Sequence, residues 1–270
     1  MPLLIFDFDD TKEGFQHVHL PSVNPYNSKM NFIRKLHTAY SFVVFTLFFI
    51  ILFPFFLIPI FFRSQFHLTG VLNRWWARFL FPIVFMPYEI ECRSKLHRGN
   101  QYIFCPNHTS YLDIAVMGFN PIDTIFVGKS EVEKVPLFGF MYRKLHITVD
   151  RSNLKSRSNS LKRSLKAIDE GKSLVIFPEG GILSKHPPHM THFKIGAFRT
   201  AIEKQIPIVP VTIPYNWIIL PDRPMLLHRR KIKVIFHEPI ETTGLQLSDC
   251  DSLKEKVYKI IEAELKKHED

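Results

Sequence analysis

Between Thr38 and Phe62 the chain carries no charged residue. A run of roughly 25 apolar positions is long enough to cross the hydrocarbon core of a bilayer as a helix. Pro54 and Pro59 fall inside it. Each removes a backbone donor, so the segment is expected to kink, or to enter one leaflet and turn back. A second apolar segment, Val71 to Phe85, carries Arg74, Trp75, Trp76 and Arg78 near its start, as an interfacial anchor would. Arg34 and Lys35 flank one side of the first run and Arg63, Arg74 and Arg78 the other, which leaves orientation open. The reading favoured is a membrane-associated two-helix hairpin over residues 38–86 that returns the chain to the cytoplasmic side, with a single span as the alternative. Phenylalanine on every face of the first run argues against a soluble core helix. Residues 1–37 mix Asn, Pro, His and charges without a period and read as an irregular lead-in. Met1 to Asp7 has no basic n-region, so a secretory signal is not expected there.

From residue 87 to 270 short apolar, β-branched runs alternate with helical patterns. Strands are expected at Tyr88–Cys92, Gln101–Cys105, Thr124–Val127, His146–Val149, Ser173–Phe177, Ile206–Ile213 and Lys231–Phe236. Leu154, Leu161, Leu165 and Ile168 recur at helical spacing, with Lys155, Arg157, Lys162, Arg163 and Lys166 on the solvated faces. Leu253, Val257, Ile260, Ile261 and Leu265 mark a last helix that Ser248 or Asp249 could cap. This alternation predicts an α/β fold: a mixed or largely parallel sheet of about seven strands covered by helices.

The strand expected at Gln101–Cys105 is followed by Asn107-His108-Thr109-Ser110-Tyr111-Leu112-Asp113. A histidine with a nearby acid can act as a general base with an orienting carboxylate. On one helix, residues five apart point about 140° away from each other. The two side chains meet only if His108 sits in the turn before a helix and Asp113 in its first turn, with Ser110 as the N-cap. Glu179 and Gly180 follow another strand-like run and are expected on a loop at its C-terminal end, where open α/β sheets place ligands. Gly180 permits close backbone approach and could offer amide donors to an oxyanion or an acceptor.

The balance of 35 basic against 25 acidic residues, +10, suits an anionic membrane surface, an acidic carrier protein or a phosphate-bearing ligand. Nucleic acid is not expected, because no basic helix carries interleaved stacking aromatics. Cys92, Cys105 and Cys250 lack metal-type spacing and read as reduced core thiols, as on a cytosolic face. His186, His189 and His192 are spaced in threes around two prolines without an accompanying acid, so no metal site is expected. The G-x-S-x-G elbow of serine hydrolases is missing, as are a Walker loop and a Rossmann glycine fingerprint.

The chain resembles the 1-acyl-sn-glycerol-3-phosphate acyltransferases of glycerophospholipid synthesis over roughly residues 85 to 240. The resemblance rests on ordered blocks: Asn107 to Asp113; Gly128-Lys129 through Val135-Pro136-Leu137-Phe138-Gly139 to Val149-Asp150-Arg151; Phe177 to Gly180; Phe193 to Phe198; and Val209-Pro210-Val211. It implies His108 as catalytic base, Asp113 as its partner, and Glu179 and Gly180 in the acceptor site. It further implies Arg151 on the acceptor's phosphate, with Lys194 and Lys129 assisting. The implied reaction moves a fatty acyl group from acyl carrier protein or coenzyme A to the sn-2 hydroxyl of 1-acyl-glycerol 3-phosphate, with no cofactor. The expected setting is the cytoplasmic face of the inner (plasma) membrane. One departure stands out: the family continues Phe-Pro-Glu-Gly with Thr or Ser and then Arg, whereas this chain reads Gly181-Ile182. The acceptor could therefore be another lysolipid, such as a lyso-amino-acid lipid, or glycerol 3-phosphate. A hydrolase releasing fatty acid and a non-catalytic lipid-binding protein of the same fold are the rivals in other classes.

Overall fold

The charge-free run becomes part of one long helix, α1 (Ser28–Phe61), in the computed structural model, which describes residues 28–268. At 1.5 Å per residue its 34 residues span about 50 Å, more than the roughly 30 Å of a bilayer's hydrocarbon core. Its apolar stretch has a mean hydropathy of 2.8 with 11% of it buried, unlike a soluble core helix, so α1 is long and apolar enough to cross a membrane. The helix continues through Pro54 and Pro59. The chain reverses only where the run ends, in a 3-10 turn at Arg63–Gln65, and returns as α2 (His67–Ile83).

Two expectations for this region need correction. The irregular lead-in does not extend to residue 37: its first 27 residues lie outside the described ones, but Ser28 to His37 are helical. A helix already nucleated by the apolar run extends backward at little cost. Arg34, His37 and Thr38 also gain partners in the folded domain: Arg34 meets His228, His37 meets the Val84 carbonyl at 2.8 Å, and Thr38 accepts from the Leu227 amide at 2.9 Å. Arg74, for its part, is no interfacial anchor. It is buried and pairs with Asp123 at 2.8 Å, fastening α2 to the α/β domain. Gly70 allows that approach, since a Cβ there would lie 2.9 Å from the Asp123 Cα. Trp75 does stay exposed on α2, whereas Trp76 packs edge-on against Phe45 of α1.

The seven strands are β1 (Tyr88–Cys92), β2 (Ile103–Pro106), β3 (Thr124–Lys129), β4 (Ile147–Val149), β5 (Ser173–Ile176), β6 (Ile208–Thr212) and β7 (Ile232–Phe236). They form a single sheet in the order β1-β7-β6-β2-β5-β3-β4, parallel throughout except for β6 against β7. Helices α3 (Leu112–Val116), α4 (Phe138–Leu145), α5 (Leu154–Asp169), α6 (Gly196–Lys204), α7 (Asn216–Ile219) and α8 (Cys250–Lys266) complete the fold. On one side of the sheet, Ala77, Leu80 and Phe81 of α2 pack with Val116 and Phe104. On the other, Ala167 and Ile168 of α5, Phe198 of α6 and Val257 and Ile261 of α8 pack on Ile103, Leu174 and Ile208. Central β2 is thus covered on both faces and its four residues are all buried, as a parallel strand requires.

Two smaller readings also change. Asp249 occupies the N-cap position of α8 but its carboxylate accepts from the Gln246 amide instead of capping. Cys105 and Cys250 are buried, whereas Cys92 is exposed, because it ends an edge strand.

Candidate active site

Strands β6, β2 and β5 are neighbours and β2 runs parallel to both, so their C-terminal ends open on one edge of the sheet. Asn107 leaves β2 there. Its buried amide accepts from the Ile213 N–H at 2.7 Å and donates to the Ile213 carbonyl at 3.0 Å, tying the β2 loop to the chain beyond β6. His108 follows in the turn before α3, and Asp113 is the second residue of that helix. Their side chains meet: His108 Nδ1 lies 3.0 Å from Asp113 Oδ2.

Asp113 is fully buried. Oδ2 also accepts from the amides of Thr109 at 2.8 Å and Ser110 at 2.9 Å, and Oδ1 accepts from Asn216 Nδ2 at 2.8 Å. All of these partners are donors, so Nδ1 carries the imidazole hydrogen and Nε2 is left with its lone pair. Ser110 does not occupy the N-cap position, which falls to Tyr111, yet its Oγ accepts from the Leu112 amide at 3.1 Å and donates to the Leu220 carbonyl at 2.7 Å. The ring of Phe177 stacks on His108 with 4.1 Å between centres and fixes its plane. Nothing in the sequence marked Asn216: a lone asparagine beyond β6 carries no signal until the fold places it beside Asp113.

Glu179 faces inward rather than toward a ligand. It is fully buried; Oε1 accepts from the His108 amide at 2.7 Å, and Oε2 accepts from the Thr191 amide at 2.9 Å and the Thr191 hydroxyl at 3.1 Å. Burial pushes its carboxyl above the usual range, while the bonds from Thr191 and His108 pull the other way. Glu179 therefore clamps the histidine loop to the loop bearing Thr191. Gly180 does not offer its amide to an oxyanion either, since that N–H donates to the Phe177 carbonyl at 3.0 Å. What Gly180 supplies is space and a carbonyl. It sits at φ +82°, a Cβ would come within 2.7 Å of Lys194 Nζ, and its carbonyl accepts from the Arg151 guanidinium.

Arg151, Gly180 and Lys194 line one cavity of about 540 Å³, together with Phe177 and Pro178. Phe177 thus joins the cavity to His108. Arg151 is half-buried; burial pushes its pKa down, with Tyr142 and Glu131 opposing. Lys129 is outside this wall, exposed and paired with Glu131 at 2.8 Å. A Cβ on Gly181 would be 3.4 Å from Arg151, so the family's hydroxyl residue would contact that guanidinium, and here it is missing. Among the described residues no group of three His, Cys, Asp or Glu side chains could hold a metal ion.

The chain is similar to known acyltransferases over part of its length. The chain is 30% identical to a 1-acyl-sn-glycerol-3-phosphate acyltransferase of Limnanthes alba, over 63% of this chain and 61% of that protein. It is 29% identical to the protein of the same name from Haemophilus influenzae, over 53% of this chain and 60% of that one. With the Saccharomyces cerevisiae protein of that name the identity is 32%, over 58% and 52%. The chain thus spans about three fifths or less of these relatives' length. The crystal structure of the 1-acyl-sn-glycerophosphate (LPA) acyltransferase PlsC from Thermotoga maritima has the same fold: TM-score 0.70, 18% identity, 87% of this chain and 97% of that one. The profile of the Acyltransferase family matches residues 88–214, a little under half of the chain, and that stretch includes His108, Asp113, Arg151, Glu179, Gly180 and Lys194.

Proposed function

We propose that this protein transfers a fatty acyl group from a thioester, acyl carrier protein or coenzyme A, to the sn-2 hydroxyl of 1-acyl-glycerol 3-phosphate, forming phosphatidic acid. The observation that carries the reading is the His108–Asp113 pair, with Nδ1 held by the carboxylate and Nε2 available as a base. Nε2 of His108 takes the proton from the acceptor's hydroxyl as its oxygen attacks the thioester carbonyl. Asp113 holds the tautomer and stabilises the imidazolium that forms. The tetrahedral intermediate expels the thiolate, which recovers the proton from His108. The acceptor's own oxygen is the nucleophile, so no step needs a metal or an organic cofactor. Arg151 and Lys194 hold the acceptor's phosphate across the cavity beside Phe177, the guanidinium as a fork and the ammonium as a point charge.

Helix α1 supports a membrane setting, because the acceptor is itself a membrane lipid and α1 presents an exposed apolar surface that includes Phe42, Leu47, Ile51 and Phe55. The site is proposed to work on the cytoplasmic face of the inner membrane. The missing hydroxyl and cation at Gly181 and Ile182 keep another lysolipid as the second reading. A panel of lysophosphatidic acid, glycerol 3-phosphate and lyso-amino-acid lipid, each with both donors, separates the two. Phosphatidic acid whose new chain is released by an sn-2-specific lipase is the expected product. Product formed only from another acceptor would overturn the assignment, and free fatty acid alone would identify a hydrolase.

A further inference from the structure

Adding an acyl chain to a lipid that already bears one brings two apolar tails to a single histidine. Resting on the acyl-transfer reading above, we propose that the acceptor's tail lies in a cavity of about 640 Å³ between the first half of α1, the end of α2, the start of α3 and residues 220–227. This volume lies in the range of small-molecule sites. Its wall is almost wholly apolar, with Phe42 and Phe45 from α1, Leu80 from α2, Tyr111 and Leu112 beside the catalytic loop, and Leu227 opposite.

Three observations assign the occupant. The α1 wall of the cavity is continuous with the exposed apolar flank formed by Leu36, Phe42, Val43 and Leu47, the surface a bilayer would cover. A single-chain lipid already in the leaflet can reach it without crossing water, unlike a donor delivered on a soluble carrier. Next, the cavity wall is pinned at both ends: Ser110 donates to the Leu220 carbonyl at 2.7 Å, and the Leu227 amide donates to Thr38 Oγ1 at 2.9 Å. The cavity therefore adjoins the His108 loop on one side and the membrane helix on the other. Lastly, Ser41 lines the cavity, is 7% exposed, and its Oγ has no partner among the described residues. Its neighbours Thr38 and Thr46 return their hydroxyls to the carbonyls of Arg34 and Phe42, at 2.7 and 2.9 Å. A buried hydroxyl without a partner is costly, and the ester oxygens of a monoacyl lipid would satisfy it.

A second apolar cavity, of about 180 Å³, lies between α1, α2, α3 and α4 and shares Phe45, Tyr111 and Ala115 with the first. Tyr111 thus lines two neighbouring apolar cavities.

The test uses the purified full chain in detergent, with 1-oleoyl- and 1-hexanoyl-lysophosphatidic acid as acceptors and palmitoyl- and hexanoyl-CoA as donors. Leu226→Trp and Ala39→Trp fill the cavity from opposite walls, and a melting curve of each variant checks folding. The expected result is a KM for the oleoyl acceptor raised at least tenfold, with the KM for the hexanoyl acceptor and for both donors within twofold of wild type. A raised KM for palmitoyl-CoA instead would put the donor's tail in this cavity and overturn the proposal, as would an unchanged oleoyl KM. If the wild-type chain acylates no lysophosphatidic acid, the acyl-transfer reading fails on its own. The cavity is then judged by binding of radiolabelled 1-oleoyl-lysophosphatidic acid without donor. Loss of at least tenfold in affinity in both variants would uphold the cavity, and unchanged or absent wild-type binding would overturn it.

Discussion

At the scale of single residues, the division of labour between His108 and Glu179 is the point most open to test. Glu179 touches the histidine through its backbone amide, so it acts by holding the loop and not by meeting substrate. Glu179→Ala would leave the amides of His108 and Thr191 without their acceptor in a buried site, at a cost of about 1–3 kcal/mol of stability. We expect a lower melting temperature and a reduced kcat with little change in acceptor KM. A large rise in acceptor KM at unchanged stability would return Glu179 to the acceptor site. The histidine and its acid were legible in the sequence because five residues across a strand-to-helix turn allow few other geometries. The roles of Glu179, Gly180 and Asn216 were not. Whether a carboxylate faces a cavity or a backbone amide 71 positions away depends on packing that no local pattern records.

At the scale of elements, the strands were readable and the helical hairpin only in part. Buried parallel strands show as continuous β-branched runs, and all seven fall within two or three residues of where their runs stand. The start of α1 was hidden because the partners of Arg34 and His37 lie far along the sequence, at His228 and Val84. Arg74 was misread for a related reason: an arginine among tryptophans looks like a membrane anchor until Asp123 is beside it. That ion pair carries its own prediction. Arg74→Met leaves the partly exposed Asp123 without its cation and should cost about 1–3 kcal/mol, measured as a lower midpoint of thermal unfolding in detergent. Adding Asp123→Asn should recover most of the loss. Equal instability in the single and double variants would mean that Arg74 matters for packing and not for charge.

At the scale of the whole molecule, acid sensitivity and the proposed catalysis both rest on the α/β domain. His237 accepts from Arg93 at 3.1 Å and meets the Thr212 hydroxyl at 2.8 Å, and burial, with Arg93 adding to it, pushes its pKa down to about 4. Burial likewise lowers His146 to about 3. Unfolded, both bind protons below about 6.5. The unfolded chain therefore holds more protons than the native one in this range, and stability present at pH 7 is lost as pH falls from about 6.5 through 4. His237→Gln should flatten the decline in melting temperature between pH 7 and pH 5, and an unchanged slope would count against the assignment. Catalysis gives the more direct measurement. Wild-type chain and His108→Ala, both shown to be folded, are assayed for acyl transfer to lysophosphatidic acid in lipid nanodiscs with each thioester donor. The expected result is wild-type turnover and a loss of about 10²–10⁴-fold or more in the variant, the range for removal of a general base. Turnover within a few-fold of wild type in folded His108→Ala would contradict it.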